Sequence, residues 1–243
     1  MLRFSALLLS YLICLDAWSD ELPSKVTLAT TDWCPYACEN GDNFPGITHE
    51  YISRVFKDRN IELTIQFFPW TRAIQLAQSG KVDGLLTAVK SEAPNLIFTT
   101  VPTDTYQMCF FTHWGNPWEY TNSDSLKSAK LGIIQNYGYG EPVDQHIQSS
   151  PDHIYTITGG GIPRLYKMLM SKRFDAFIDD SKVVRWALKG SAKDLKQVGC
   201  LESNPFYLAI HPDRPWAKSL VSWLDKQLPA TRDRLRAIQQ SYY

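Results

Sequence analysis

Polar and apolar positions follow one another in a regular order along this chain. KVTLATTDW, residues 25–33, alternates with a period of two and predicts a strand ending at Trp33. The loop CPYACENGDNFPG comes next and is rich in turn formers. Ile52, Val55 and Phe56 then recur at helical spacing, predicting a helix over about residues 48–59 with one apolar face. IELTIQFF, residues 61–68, predicts the following strand. Strand, helix, strand, helix, strand with short connections is the order of a mostly parallel sheet covered by helices.

One segment is written twice. PWTRAIQLAQSGKVDGLLTA, residues 69–88, is echoed by GIPRLYKMLMSKRFDAFIDD, residues 161–180, and Arg72 falls on Arg164, Ser79 on Ser171, Lys81 on Arg173 and Asp83 on Asp175 without a gap. Each copy predicts a helix (apolar Ile74 and Ala77; Leu165, Met168 and Leu169), a polar basic turn and a short buried strand. Two similar α/β lobes are therefore expected, and a cleft between lobes is where a small ligand usually binds. Asp83 and Asp175 precede a strand in both copies, so a turn or cap role is expected for them.

Between the copies, LIFTTVPTDTYQMCFF at 96–111 reads as extended chain leaving the first lobe. KLGIIQ then predicts a strand, and NYGYGEP a glycine-rich loop opening a helix, with Pro142 in the first turn. PFYLAIHP is extended again and is expected to return to the first lobe. A C-terminal helix, PWAKSLVSWLDKQL, carries Leu220, Trp223, Leu224 and Leu228 on one face. The expected boundaries are a leader at 1–19, a first lobe at 20–108 and 206–243, and a second at 109–205.

With 243 residues and 44% hydrophobic content there is ample material for packed cores. Lysine plus arginine (25) balances aspartate plus glutamate (25), so no global field recruits nucleic acid, and a monomer is expected. The N-terminal MLRFSALLLSYLICLDAWSD has Arg3, an apolar core and Ala17-Trp18-Ser19 as a cleavage site, the pattern of a secretory signal peptide. Export to an oxidising compartment favours disulfides. Loss of Cys14 leaves four cysteines. Cys34 with Cys38 closes a small local loop and leaves Cys109 with Cys200; two other pairings, or free thiols, stay open at this level. The five histidines are scattered without ligand spacing, so neither a metal nor a cofactor is expected.

Several short motifs carry a resemblance. Asp32, Trp33, Pro35 and Tyr36 make an aromatic opening, Phe44 and Gly46 a turn before the first helix, and Gly80 and Asp83 stand in GKVDG. Residues 98–102 take the place of an F-S-x-P-Y crossing, KLGIIQNYGYG that of a glycine-threonine loop, and FDAFIDDS follows at 174–181. In this order and spacing the chain is similar to the family 3 bacterial extracellular solute-binding proteins, the periplasmic amino-acid-binding proteins of ABC importers. The resemblance covers nearly all of the mature chain. It implies an α/β fold of two similar lobes, each a mostly parallel sheet flanked by helices, joined by two crossing strands (periplasmic binding protein type II). It also implies a small polar solute as ligand, with an ABC permease or a membrane sensor as partner.

The candidate site follows from loops at strand ends. Trp33, Tyr36, Phe44, Trp70 and Tyr106 offer an aromatic wall. The family's E-R pair before the crossing, whose arginine grips a ligand carboxylate, is absent, because Ser91, Glu92 and Ala93 stand there. Arg72 is the available replacement. The backbone amides around Asn136, Tyr137 and Gly138 are a candidate anion site at a helix start. Asp180 corresponds by position to the family's strand-end aspartate, which binds an α-ammonium, and its neighbour Asp179 is the other candidate for an inward-facing acid. No nucleophile motif or metal set points to an enzyme. The alternatives are a dehydratase-like enzyme using Glu92 as general acid, and a ligand sensor docking to a membrane partner.

Overall fold

The computed structural model describes residues 22–40, 44–135 and 137–242. The expected leader at 1–19 and Asn136 lie outside the described residues. β1 (Lys25–Thr30), α1 (Ile47–Lys57), β2 (Glu62–Phe67), α2 (Trp70–Gln78) and β3 (Gly84–Ala88) follow the predicted order. β4 (Ile97–Phe98), β5 (Asp104–Tyr106) and β6 (Met108–His113) carry the chain into the second half. There β7 (Leu131–Ile134), α3 (Val143–Ser149), β8 (Ile154–Ile157), α4 (Gly161–Met170), β9 (Ala176–Asp180), α5 (Ser181–Ala187) and β10 (Leu195–Cys200) follow. β11 (Asn204–Ile210), α6 (Ala217–Ala230) and α7 (Arg232–Tyr242) complete the described chain.

Two sheets form, one per lobe. The first is ordered β2-β1-β3-β11-β4, with β5 also on β11, and the second β10-β6-β9-β7-β8. β2-β1-β3 and β9-β7-β8 are parallel, as the alternation of strand and helix predicts. The strands next to the crossings are antiparallel, because β6 and β11 each enter their sheet from the other lobe.

The repeated segment occupies the same place in both sheets. Asp83 N–H donates to the Thr27 carbonyl at 2.8 Å, and its Oδ2 accepts from Thr27 N–H at 2.7 Å. Asp175 makes the same pair of bonds with Lys130, both at 2.8 Å. Each carboxylate thus pins the start of its strand to the neighbouring parallel strand, which is the structural role expected of both. Gly84, one residue on, lets β11 close against β3, since a Cβ there would run into the Ala209 carbonyl.

The first core joins Leu28, Ile52 and Phe56 to Leu220, Leu224 and Leu228, so the C-terminal helix does pack on the first lobe. A second C-terminal helix, α7, adds Leu235, Ile238 and Tyr242 to that core. The crossings are tied together at both ends. β5 pairs with β11, and Cys109 is bonded to its cross-strand neighbour Cys200. Cys34 is bonded to Cys38. Among the described residues no helix is long and apolar enough to cross a membrane.

Candidate functional site

The parallel strands of each sheet end on loops that carry the candidate residues. β1 runs out at Thr30 towards Trp33, β2 at Phe67 towards Trp70 and Arg72, and β3 at Ala88 towards Glu92. In the second lobe β7 opens into the NYGYG loop and β9 ends at Asp180. Carboxyl ends of such strands are the usual ligand edge of open α/β sheets. The two edges meet. Trp33 packs on Tyr36 and Tyr106, with ring centroids 4.4 and 5.6 Å away, and the Tyr36 hydroxyl of the first lobe reaches Asp180 of the second.

Trp33, Trp70 and Tyr106 are half-buried, and Tyr137 and Gly138 are exposed, so all five remain available as a wall. Tyr36 is not. Its ring is wholly buried between Trp33 and Phe206, and its hydroxyl lies 3.2 Å from both the Thr105 carbonyl and Asp180 Oδ1. Phe44 faces a different neighbourhood, 6.0 Å from Trp186 and 5.6 Å from Tyr242.

Asp180 is also fully buried. Its Oδ1 accepts from the N–H groups of Lys182 and Val183, each at 2.9 Å, and so caps α5. Its Oδ2 accepts from Gln107 N–H at 2.8 Å. Burial raises its pKa, and the bonds from Gln107, Val183 and Tyr36 offset that in part. The expected ammonium partner is thus committed to the protein's own donors. The signal for the cap was present, since an Asp followed by Ser-Lys-Val after an apolar run is a helix-start pattern. Lys182 stands 3.1 Å from Asp104 Oδ1 and 5.2 Å from the Tyr36 ring centre, adding a second bond between the lobes.

The glycine-rich loop differs from the expected anion cradle. Asp144, four residues beyond Gly140, accepts from the N–H groups of Tyr139 (2.9 Å) and Gly140 (2.8 Å), so the chain's own carboxylate fills that place. Arg72 is exposed, and its side chain has no ion pair or hydrogen bond among the described residues. Glu92 lies within hydrogen-bonding reach of Trp70, and partial desolvation raises its pKa although one edge stays exposed. Asp179 is buried beneath this edge. Its Oδ1 accepts from Asp180 N–H at 2.7 Å, its Oδ2 has no partner, and burial pushes its pKa up to about 7.

Two sheets with a tied pair of crossings and a cleft at the strands' carboxyl ends define the periplasmic binding protein type II fold. An ancestral arginine-binding protein bound to arginine matches with TM-score 0.69 and 17% identity, over 92% of this chain and 100% of that one. The second substrate-binding domain of GlnP from Lactococcus lactis, in its open conformation, matches with TM-score 0.64 and 17% identity, over 90% and 95% of the two chains. A histidine kinase sensor domain with similarity to periplasmic binding proteins matches with TM-score 0.71 and 14% identity, over 90% and 96%. At these identities the likeness is one of fold. No protein-family model and no curated protein matches the sequence.

Proposed function

We propose that the chain is a periplasmic solute-binding protein that captures a small polar solute, an amino acid or related compound, between its lobes for an ABC-type importer. The observation that carries this reading is the meeting of the two strand-end edges, where the Tyr36 hydroxyl reaches Asp180 and Lys182 reaches Asp104, with tied crossings beside them. The arginine-bound and substrate-binding-domain structures that share the fold accord with it. Two disulfides accord with an exported protein. Trp33, Trp70, Tyr106, Tyr137 and Gly138 form the wall, Arg72 is the free cation for an acidic group on the solute, and Tyr36 and Asp180 set closure. A solute that touches both lobes stabilises the closed state because only there does it contact both.

A thermal-shift screen of the mature protein against amino acids, amines, small carboxylates and peptides tests the reading. A solute at one hundred times its Kd adds about 2.7 kcal/mol. That corresponds to roughly 5–10 °C in Tm for a protein of this size. The expected hit raises Tm and shrinks the radius of gyration in solution scattering. A panel that moves neither quantity removes the solute-binding reading.

One observation favours a second reading. The raised pKa of Glu92 beside Tyr106 suits a general acid, as a dehydratase-like enzyme would need. A solute that is chemically consumed on incubation would select it.

A further inference from the structure

A cavity of about 490 Å³ lies beside the crossings, lined by Ser91, Tyr106, Tyr120, Tyr139, Glu141 and Glu202 together with smaller and apolar groups. Both lobes and the crossings build its wall. Ser91 follows β3, Tyr106 ends β5, Tyr139 and Glu141 belong to the loop after β7, and Glu202 joins β10 to β11.

Charge around this cavity is one-sided. No lysine, arginine or histidine lines it. Glu141, Glu202 and Glu92, the neighbour of Ser91, have no ion pair among the described residues, whereas Glu50, Glu62 and Glu119 each have one. Lys90, between the lining residues Val89 and Ser91, has its ammonium 4.4 Å from the Tyr207 ring centre and does not line the cavity itself. The whole chain carries no net charge, so the local excess is a matter of arrangement.

Tyrosine faces and unneutralised carboxylates around one void attract a cation and repel an anion. A neutral solute would desolvate those carboxylates without replacing the lost water, which is unfavourable. We propose that this cavity receives the cationic end of the solute, a primary amine or a guanidinium, with Glu141 and Glu202 as its counter-ions. The inference rests on the solute-binding reading and supplies its specificity. Because the wall comes from both lobes, a cation held there also favours closure.

Isothermal titration of the mature chain with matched pairs tests this: putrescine against 1,4-butanediol and arginine against citrulline, with glutamate as anionic control. In at least one pair the cationic member is expected to bind at least about tenfold more tightly. The double variant Glu141→Gln/Glu202→Gln is expected to lose about tenfold or more of that affinity at unchanged Tm, since both side chains are exposed. Equal binding of the neutral member, or tighter binding of glutamate, with the lobes closing in solution scattering, overturns the cation assignment and leaves the solute-binding reading standing. Full affinity in the double variant overturns it as well. No binding by any member of these pairs or of the wider solute panel removes both.

Discussion

Tyr36 and Asp180 meet across the cleft, the hydroxyl oxygen of one 3.2 Å from Oδ1 of the other, although 144 positions separate them in the chain. Tyr36 belongs to the loop after β1 and Asp180 to the end of β9, so the contact exists only while the lobes are together. Both groups are removed from water, which makes the bond worth more than a surface contact and an opened state correspondingly less favourable.

Tyr36→Phe keeps the ring packing and deletes the hydroxyl. The closed state is expected to lose about 1–1.5 kcal/mol. Solution scattering of the solute-free variant is then expected to give a larger radius of gyration than the parent. Identical profiles would mean that Tyr36 does not hold the lobes.

Arg72→Ala removes a guanidinium that binds nothing else among the described residues. Stability is expected to stay within about 0.5 kcal/mol of the parent. Affinity for a solute bearing a carboxylate is expected to fall about tenfold to a hundredfold, read by titration calorimetry. Unchanged affinity for such a solute would strip Arg72 of its role.

The turn after each repeated helix holds an equivalent residue in the left-handed region, Gly80 at φ 68° and Lys172 at φ 56°. Lys172→Gly relieves that conformation and is expected to stabilise the chain by about 0.5–1 kcal/mol in denaturant unfolding. Gly80→Ala is expected to cost about 1 kcal/mol. Space is not the reason: the new methyl would meet only the His211 ring, at an ordinary 3.5 Å. A change of the opposite sign at either position would refute the pairing of the two turns.

Asp179 has its carboxyl pKa pushed up to about 7, so the folded state holds its proton more tightly than the unfolded chain does. Stability from this group is therefore present at low pH and declines as pH rises from about 4 through 7. Asp180 is shifted in the same direction and adds to the slope. Asp179→Asn keeps an oxygen for Asp180 N–H and cannot ionise. Urea unfolding at pH 5 and pH 8 is expected to show the variant losing less stability across that interval than the parent. Equal slopes would show that Asp179 does not titrate there.

The sequence repeat made the two lobes legible, and the equal bonds of Asp83 and Asp175 show why: the same carboxylate pins the same strand in each sheet. Both proposed cysteine pairs are present for a geometric reason, since Cys109 and Cys200 are cross-strand partners. α7 has a weak sequence signal, because its stretch is largely polar and only Leu235, Ile238 and Tyr242 reach the core. Tyr36 has the residue type of a cleft wall, but residue type does not say which way a ring in a loop turns, and this one turns inward. The occupant of the glycine-rich loop does have a sequence signal, the acid Asp144 four residues past Gly140. The cavity beside the crossings draws its wall from segments remote in sequence, and no local pattern announces it.

Gln107 links β5 to β6 and residues 201–203 link β10 to β11, and the two links are themselves bonded side by side, Leu201 N–H to the Met108 carbonyl at 2.8 Å and Gln107 Nε2 to the Leu201 carbonyl at 3.0 Å. Two short straps running side by side permit one swing and resist twisting and sliding. The second lobe thus has close to a single degree of freedom relative to the first. A solute arriving in the cleft has little rotational wandering to suppress, and most of its contact energy can appear as affinity.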